Sequence, residues 1–382
     1  MKICLFADAQ SVHIHQLVLG IASRGHAVHV VTHKPVPVPG ATVERFHVPG
    51  PSVTNPRRWE GRRSNYLRGF LRRFEVVNIH FLQDWGFRFH PPLIEKACLI
   101  ASAWGSDIVD PPGEIPAEAE LTQRRRTLLR RADAVTACGP TFAGMVADYG
   151  GIAANHIDIL PFGVDLDIFR SAATTRTTAL RKRLEPHRIG FFKGFREVYG
   201  PTFLIQAIPL VRDRFPEVRF ELVGDGPQFA KCREMAATLG IQSAIEWIPR
   251  QPHNELPKLI SRWDVSVIPS VQEAFGVAAL ESSAMGVPVV ASNVGGLCDT
   301  VRHGETGLLV PPRDPQAIAD GIIKLLENVE LRQKMGRAGR EMVEADYNWS
   351  DLHDRWISFY EQVRDHLTVG GTPDCLVESA VS

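Results

Sequence analysis

Short apolar runs alternate with helix-periodic segments along almost the whole chain, and this most narrows what it can fold into. Ile3 to Phe6 is followed by Ile14, Leu17, Val18, Ile21 and Ala22, one helical stripe that Gly25 ends. Ala27 to Thr32 is the next strand candidate, and a proline-rich loop runs from Pro35 to Pro39. Val76 to Ile79, Leu99 to Ala101 and Ala134 to Ala137 continue the series. A second series comprises Ile189 to Phe192, Phe220 to Val223, Ile245 to Ile248, Val265 to Ile268 and Val287 to Ala291. Strands buried on both faces and joined by helices make a parallel sheet wound with helices. Between the series, Ser171 to Arg183 is rich in Ala, Thr and Arg and suits a linker. At 382 residues the chain is long for one core and comfortable for two. The expectation is two doubly wound domains, each with its ligand crevice at the carboxyl ends of its strands.

The most specific stretch is Pro269-Ser270-Val271-Gln272-Glu273-Ala274-Phe275-Gly276-Val277-Ala278-Ala279-Leu280-Glu281. A strand runs into a loop, a helix opens near Gly276, and Gly286 and Pro288 stop it. A helix N-terminus carries free N–H groups and the positive end of the dipole, so the amides of Phe275, Gly276 and Val277 suit an anion such as a diphosphate. Gly276 admits close approach of that anion. Glu281 lies one turn on, its side chain leaning back toward the N-terminus and a ribose diol. Glu273 lies before the helix, on the side of the sugar hydroxyls. Taken singly, each glutamate is an ordinary solvated residue; the combination suits a nucleotide-sugar.

This stretch resembles the two-glutamate motif of glycosyltransferase family 4, retaining enzymes of the GT-B fold: α/β, two Rossmann-like doubly wound domains facing across a cleft. Val294-Gly295-Gly296, Gly304-Glu305-Thr306-Gly307-Leu308-Leu309-Val310, Pro311-Pro312-Arg313-Asp314-Pro315 and Leu222-Val223-Gly224-Asp225-Gly226-Pro227 are similar to the family's sequence around that motif. Trp104-Gly105-Ser106-Asp107 and Pro161-Phe162-Gly163-Val164-Asp165 resemble its first-half landmarks more loosely. The resemblance implies an acceptor domain over residues 1–170, a linker at 171–186, a nucleotide-sugar domain over 187–348, a C-terminal helix at 349–366 packing back on the first domain, and a loose tail at 367–382.

The same resemblance implies site roles. Glu273 and His80 are the catalytic candidates, His80 because it ends the strand Val77-Asn78-Ile79 where the family often contacts the transferred sugar. Lys193 falls at the first diphosphate-binding cation, while Tyr199-Gly200 stands where a second lysine is usual; Arg196 is a substitute within the loop. Donor contacts are therefore expected from Lys193, Arg196, Phe275, Gly276, Val277 and Glu281. The loop Asp8-Ala9-Gln10-Ser11-Val12-His13 lacks the glycines most relatives carry. Ser11, His13 and Asp107 are candidates for acceptor or phosphate contact, and His13 equally for capping the helix or lying in solvent.

Net charge is +0, and no nucleic-acid module is recognisable. The six cysteines show no paired spacing, against a zinc site or disulfide scaffold and in keeping with a reducing cytoplasm. Met1-Lys2 leads straight into Ile3-Cys4-Leu5-Phe6, too short for a signal-peptide core. No cofactor or metal is expected. A stripe of Arg57, Arg58, Arg62, Arg63, Arg68, Arg72 and Arg73 interleaves with Trp59, Tyr66, Leu67, Phe70, Leu71 and Phe74, and Arg124, Arg125, Arg126, Arg130 and Arg131 form a second cluster. Such stripes suit either a solvated helix face or an anionic membrane surface or phosphorylated acceptor.

The function expected is a retaining transfer of sugar from a UDP- or GDP-sugar to a glycan, a lipid-linked cell-envelope intermediate or a small molecule, in the cytoplasm or at the inner membrane face. The alternatives are an epimerase or hydrolase acting on the donor alone, and a weakly catalytic nucleotide-binding protein.

Overall fold

The computed structural model describes residues 1–46, 68–82, 97–109, 119–170 and 186–368. These form two compact units, one from the described residues of 1–162 together with 349–368, the other from those of 163–348.

The first unit contains β1 (Lys2–Phe6), α1 (Val12–Ser23), β2 (Ala27–Thr32), β3 (Ala41–Arg45), β4 (Val76–His80), β5 (Cys98–Ser102), α2 (Ala119–Arg131), β6 (Ala134–Ala137), α3 (Pro140–Gly150) and β7 (Ile157–Ile159). Among the described residues the strands pair in parallel in the order β3-β2-β1-β4-β5-β6-β7. β4 and β5 are buried throughout, whereas β3 is a half-exposed edge with an alternating pattern. The apolar-run criterion therefore misses β3, and it misses the three-residue β7 through its brevity.

The second unit contains β8 (Arg188–Phe191), α4 (Pro201–Arg214), β9 (Arg219–Val223), α5 (Phe229–Thr238), β10 (Ile245–Ile248), α6 (Leu256–Ile260), β11 (Val265–Ile268), α7 (Val277–Ala284), β12 (Val289–Ser292), α8 (Leu297–Thr300), β13 (Gly307–Val310), α9 (Pro315–Glu327) and α10 (Val329–Asp346). Its parallel order among the described residues is β10-β9-β8-β11-β12-β13. Ile189, Phe191, Ile205, Ile208, Phe220 and Val265 are wholly buried between sheet and helices. The chain joins this unit at Gly163, ahead of the expected linker. Val164 N–H donates to the Tyr347 carbonyl (2.7 Å), and Phe169 is fully buried.

α11 (Trp349–Thr368) belongs to the first unit. Gly20 lets α1 lie tightly against it, because a Cβ there would run into the His353 ring. Arg24 pairs with Asp354 (2.5 Å) and donates to the Ser350 carbonyl (3.1 Å). Below the surface, Asn78 donates to Tyr360 Oη, Ser102 to Asn78, and Thr136 to Ser102, at 2.9, 2.9 and 2.8 Å. That buried chain links α11 to β4, β5 and β6, and each polar group in it has the partner its burial demands.

In both sheets the strand order reverses at one point, between β1 and β4 and between β8 and β11. A reversal of this kind is where doubly wound sheets bind ligands, outside the carboxyl ends of the strands. His80 ends β4, Lys193 follows β8, and Ser270 to Glu273 follow β11.

The linker at 171–183, most of the arginine stripe (Arg57, Arg58, Arg62 and Arg63 with Trp59, Tyr66 and Leu67) and the end of the tail (369–382) lie outside the described residues. In the second arginine cluster, three side chains serve carbonyl groups. Arg125 donates to Leu82 O (2.9 Å), Arg126 to Tyr149 O (2.9 Å) and Arg130 to Gly150 O (2.7 Å). The last two cap the C-terminus of α3, where orphan carbonyls and the negative end of the dipole favour cations. No helix among the described residues is long and apolar enough to cross a membrane.

Candidate functional site

The first unit gathers an aromatic, largely uncharged cluster at its switch point. His80 is 1% exposed, and neither ring nitrogen has a hydrogen-bond partner. Its ring meets Trp104 edge-on (centroids 4.8 Å) and lies 5.8 Å from Trp356 of α11. Burial alone pushes its pKa down to about 3, so the imidazole is neutral at physiological pH. Each ring nitrogen is a donor or an acceptor according to tautomer, and both are buried. His13, on the first turn of α1, stacks on Phe162 (4.3 Å, 26°) and approaches Trp104 edge-on (6.4 Å). The ring is partly buried, with one face against Phe162.

Ser11 is the N-cap residue of α1 but makes no side-chain cap hydrogen bond; its N–H donates to Asp8 O (3.0 Å). Asp107 is fully buried, and its carboxylate accepts from the amides of Leu82 (2.9 Å), Trp104 (3.2 Å) and Gly105 (2.6 Å). Burial pushes its pKa up against the pull of those N–H donors. With its oxygens so engaged, Asp107 shapes the loop that carries Trp104.

The second unit places charges instead. Lys193 Nζ pairs with Glu273 Oε2, which also accepts from Ser270 Oγ (3.1 Å). The side chains are 12% and 13% exposed. The same ammonium lies 4.4 Å from the Tyr199 ring centroid, so the residue standing where a second lysine was expected holds the first by a cation–π contact. Arg196 lies on the same loop with its side chain exposed.

The loop that carries Glu273 is held by its backbone. Glu273 O accepts from Gly296 N (2.9 Å), and Phe275 O accepts from Thr300 Oγ1 (3.1 Å). Gly276 has φ +98°, and a Cβ there would fall 2.7 Å from Leu297 Cδ2, so a side chain is excluded on two counts. α7 starts at the next residue, and in its first turn the Ala279 N–H donates to Gly276 O (2.8 Å).

Glu281, one turn into α7, is 7% exposed. Its Oε1 pairs with His253 Nε2 at 2.7 Å. His253 opens a 3-10 turn (His253–Glu255) just after β10, and its ring packs 5.1 Å from Phe169. Burial disfavours the imidazolium, but the hydrogen bond and charge of Glu281, joined by the charge of Asp165, outweigh it and hold the His253 pKa above its ordinary value. Sequence reasoning missed His253. Its position just past a strand's carboxyl end was the available signal, but its partner lies 28 residues away and only the fold pairs them.

Lys193, Glu273, Gly276 and Glu281 thus share one end of one sheet, while His80 and His13 share the corresponding end of the other, with Ser11 just before His13. Among the described residues no group of three or more His, Cys, Asp or Glu side chains could hold a metal ion.

Two family models match the chain: Glycosyltransferase Family 4 over residues 10–168, and Glycosyl transferases group 1 over residues 175–342. The chain is 32% identical over 220 residues to a D-inositol 3-phosphate glycosyltransferase of Corynebacterium urealyticum, covering 54% of this chain and 51% of the relative. It is 33% identical over 248 residues to the GDP-mannose-dependent alpha-(1-6)-phosphatidylinositol monomannoside mannosyltransferase of Mycobacterium tuberculosis, covering 61% and 64%. It therefore spans about half to two thirds of the length of these curated relatives. Among solved structures, Anabaena HepE in complex with UDP and glucose superposes with a TM-score of 0.77 at 17% identity, covering 95% of this chain and all of that one.

Proposed function

The chain belongs to the family 4 glycosyltransferases with the GT-B fold, and from that premise we propose that it moves a sugar from a nucleoside-diphosphate sugar to a hydroxyl acceptor with retention of configuration. One observation carries this reading: a cation (Lys193), a glycine-started helix N-terminus (Gly276) and two carboxylates (Glu273, Glu281) converge on the switch point of the second sheet. A nucleoside diphosphate sugar offers an anion for the first two and hydroxyl groups for the carboxylates.

In this scheme the amides of Phe275 to Val277 and Lys193 receive the diphosphate, with Arg196 adding charge from the loop. Glu281 takes the ribose diol and Glu273 the sugar hydroxyls. The incoming diphosphate replaces Glu273 as the partner of Lys193, which frees the carboxylate for the sugar. The C–O bond to the diphosphate breaks as the acceptor oxygen bonds to the anomeric carbon on the same face, and the acceptor proton passes to the departing phosphate oxygen. Positive charge on Lys193 and the helix end stabilises the leaving group as it charges. His80, neutral, hydrogen-bonds a hydroxyl group without adding charge near an oxocarbenium-like centre. Ser11 and His13 serve the acceptor side.

The donor is a UDP- or GDP-sugar: HepE binds UDP, and the mycobacterial relative depends on GDP-mannose. The acceptor is a glycan or a lipid-linked intermediate, brought to a membrane surface by the arginines of 57–73. Vesicle binding that weakens with salt and on Arg72→Ala plus Arg73→Ala is expected; salt-insensitive or absent binding rejects the membrane part alone.

The test is a panel of UDP- and GDP-sugars incubated with the full chain, following free nucleotide, with Glu273→Ala and Glu281→Ala as controls. Release from one donor, lost in both variants, is expected. Nucleotide binding without turnover in the presence of candidate acceptors would favour a binding protein, and sugar release without transfer would mark a hydrolase.

A further inference from the structure

Glu281, assigned above to ribose, also has a partner within the protein. Glu281 is nearly buried on a short helix, and a buried carboxylate without a partner is costly. Its structural partner comes from a different loop. His253 sits on the 3-10 turn after β10, its Nε2 on the Glu281 carboxylate and its ring 5.1 Å from that of Phe169. Phe169 is itself fixed, since it is fully buried and its carbonyl accepts from Arg340 (2.7 Å). Arg340 also donates to Ala284 O at the end of α7 (2.7 Å), so the wall behind His253 and the helix carrying Glu281 are tied to one guanidinium.

We propose that His253 is a positioning residue for nucleotide ribose: its imidazole holds Glu281 Oε1, so that the other carboxylate oxygen is presented to the ribose diol. The inference rests on the assignment of Glu281 to ribose. A carboxylate held at one oxygen has lost most of its rotational freedom, so a diol bonding to the other loses less on binding. The hold is a charge-assisted hydrogen bond when His253 is protonated and a weaker neutral one when it is not. The charged groups that face the imidazole are Glu281 from α7 and Asp165 from the turn before Phe169, both acidic, and both favour its protonated form. A pKa raised in this way means that the proton is kept at lower pH and lost as pH rises, so the hold weakens toward alkaline pH.

The experiment measures binding of UDP and GDP to the full chain, each beside its 2′,3′-dideoxy counterpart, which lacks the diol. The quantity read is the affinity ratio of ribo to dideoxy form, in which phosphate contacts, phosphate ionisation and the folded fraction cancel. For the nucleotide that binds, the wild-type ratio is expected to favour the ribo form. It should fall by about three- to tenfold in His253→Ala, and His253→Gln, which keeps a neutral donor, should recover part of the loss. Over about pH 6 to 9 the wild-type ratio should decline while both variants stay flat. A His253→Ala ratio equal to wild type overturns the proposal, as does equal weakening of both forms, which would place His253 on the base or phosphate. A pH-independent wild-type ratio overturns the charged hold. Glu281→Gln separates the two levels: if it leaves the ratio unchanged, the ribose assignment itself has failed, whereas loss of the ratio in Glu281→Gln alone rejects only His253.

Discussion

The two switch points lie at equivalent places in two similar sheets, yet they hold their polar groups by opposite means. In the first unit His80 is kept neutral by desolvation among Trp104 and Trp356, with no charged partner. In the second, Lys193 is paired with Glu273 and His253 with Glu281 at partly buried positions. A group that must hydrogen-bond a hydroxyl near developing positive charge is served by neutrality, and groups that must meet an anionic diphosphate are served by charge. The difference suggests that the first site responds to packing and acid, and the second to charge substitution and salt.

The largest expected effect is on the charged side. Lys193→Ala should lower donor turnover by about 10²–10³-fold, the usual loss when a preorganised stabilising group of a developing anion is removed. Steady-state nucleotide release reads it, and a loss under fivefold would mean that Lys193 is not the main diphosphate cation. On the neutral side, the signature is acid sensitivity. A folded-state pKa of about 3 for His80, against an ordinary value near 6.5, means that the unfolded chain binds the extra proton between those limits. Stability from this source is complete above about pH 6.5 and falls as pH drops, by about 3 kcal/mol at pH 4. Urea unfolding of wild type and His80→Phe at pH 7 and pH 4 should show the wild type losing more; equal losses would contradict the buried neutral imidazole.

Smaller effects refine the same contrast. Tyr360→Phe strands the Asn78 amide that donates to the hydroxyl (2.9 Å) and should cost about 1–3 kcal/mol in chemical unfolding. Added salt should change that cost little, since the chain Thr136–Ser102–Asn78–Tyr360 carries no charge. Tyr199→Leu should raise donor KM by about two- to fivefold while Tyr199→Phe leaves it unchanged, as a cation–π contact at a partly exposed site contributes about 0.5–1 kcal/mol. Equal effects of the two would mean that the hydroxyl group, not the ring, is used.

Much of this architecture was legible in the residues. β1, β2, β4, β5, β6, β8, β9, β11 and β12 are largely apolar and largely buried, β10 less so, and the stop at Gly286 and Pro288 foretold the end of α7. The strand edges were not legible: β3 alternates and is half exposed, and in β7 three residues carry too little periodicity. The second arginine cluster was illegible for another reason. A count of cations at Arg124 to Arg131 says nothing of the carbonyls of Tyr149 and Gly150 that Arg126 and Arg130 reach.

The sequence by itself determined the two doubly wound sheets, the glycine-started helix after β11 and the presence of Lys193, Glu273, Glu281 and His80 near strand ends, because burial periodicity and helix-end chemistry are local. Only the tertiary structure decided which group each one faces. Lys193 meets Glu273 across 80 residues, His253 meets Glu281 across 28, and His80 owes its neutral state to burial beside indoles from distant segments, Trp104 and Trp356 of α11. Charge state and hydrogen-bond partner depend on what lies within a few ångströms, and in a parallel sheet the loops that meet at one edge come from distant parts of the chain.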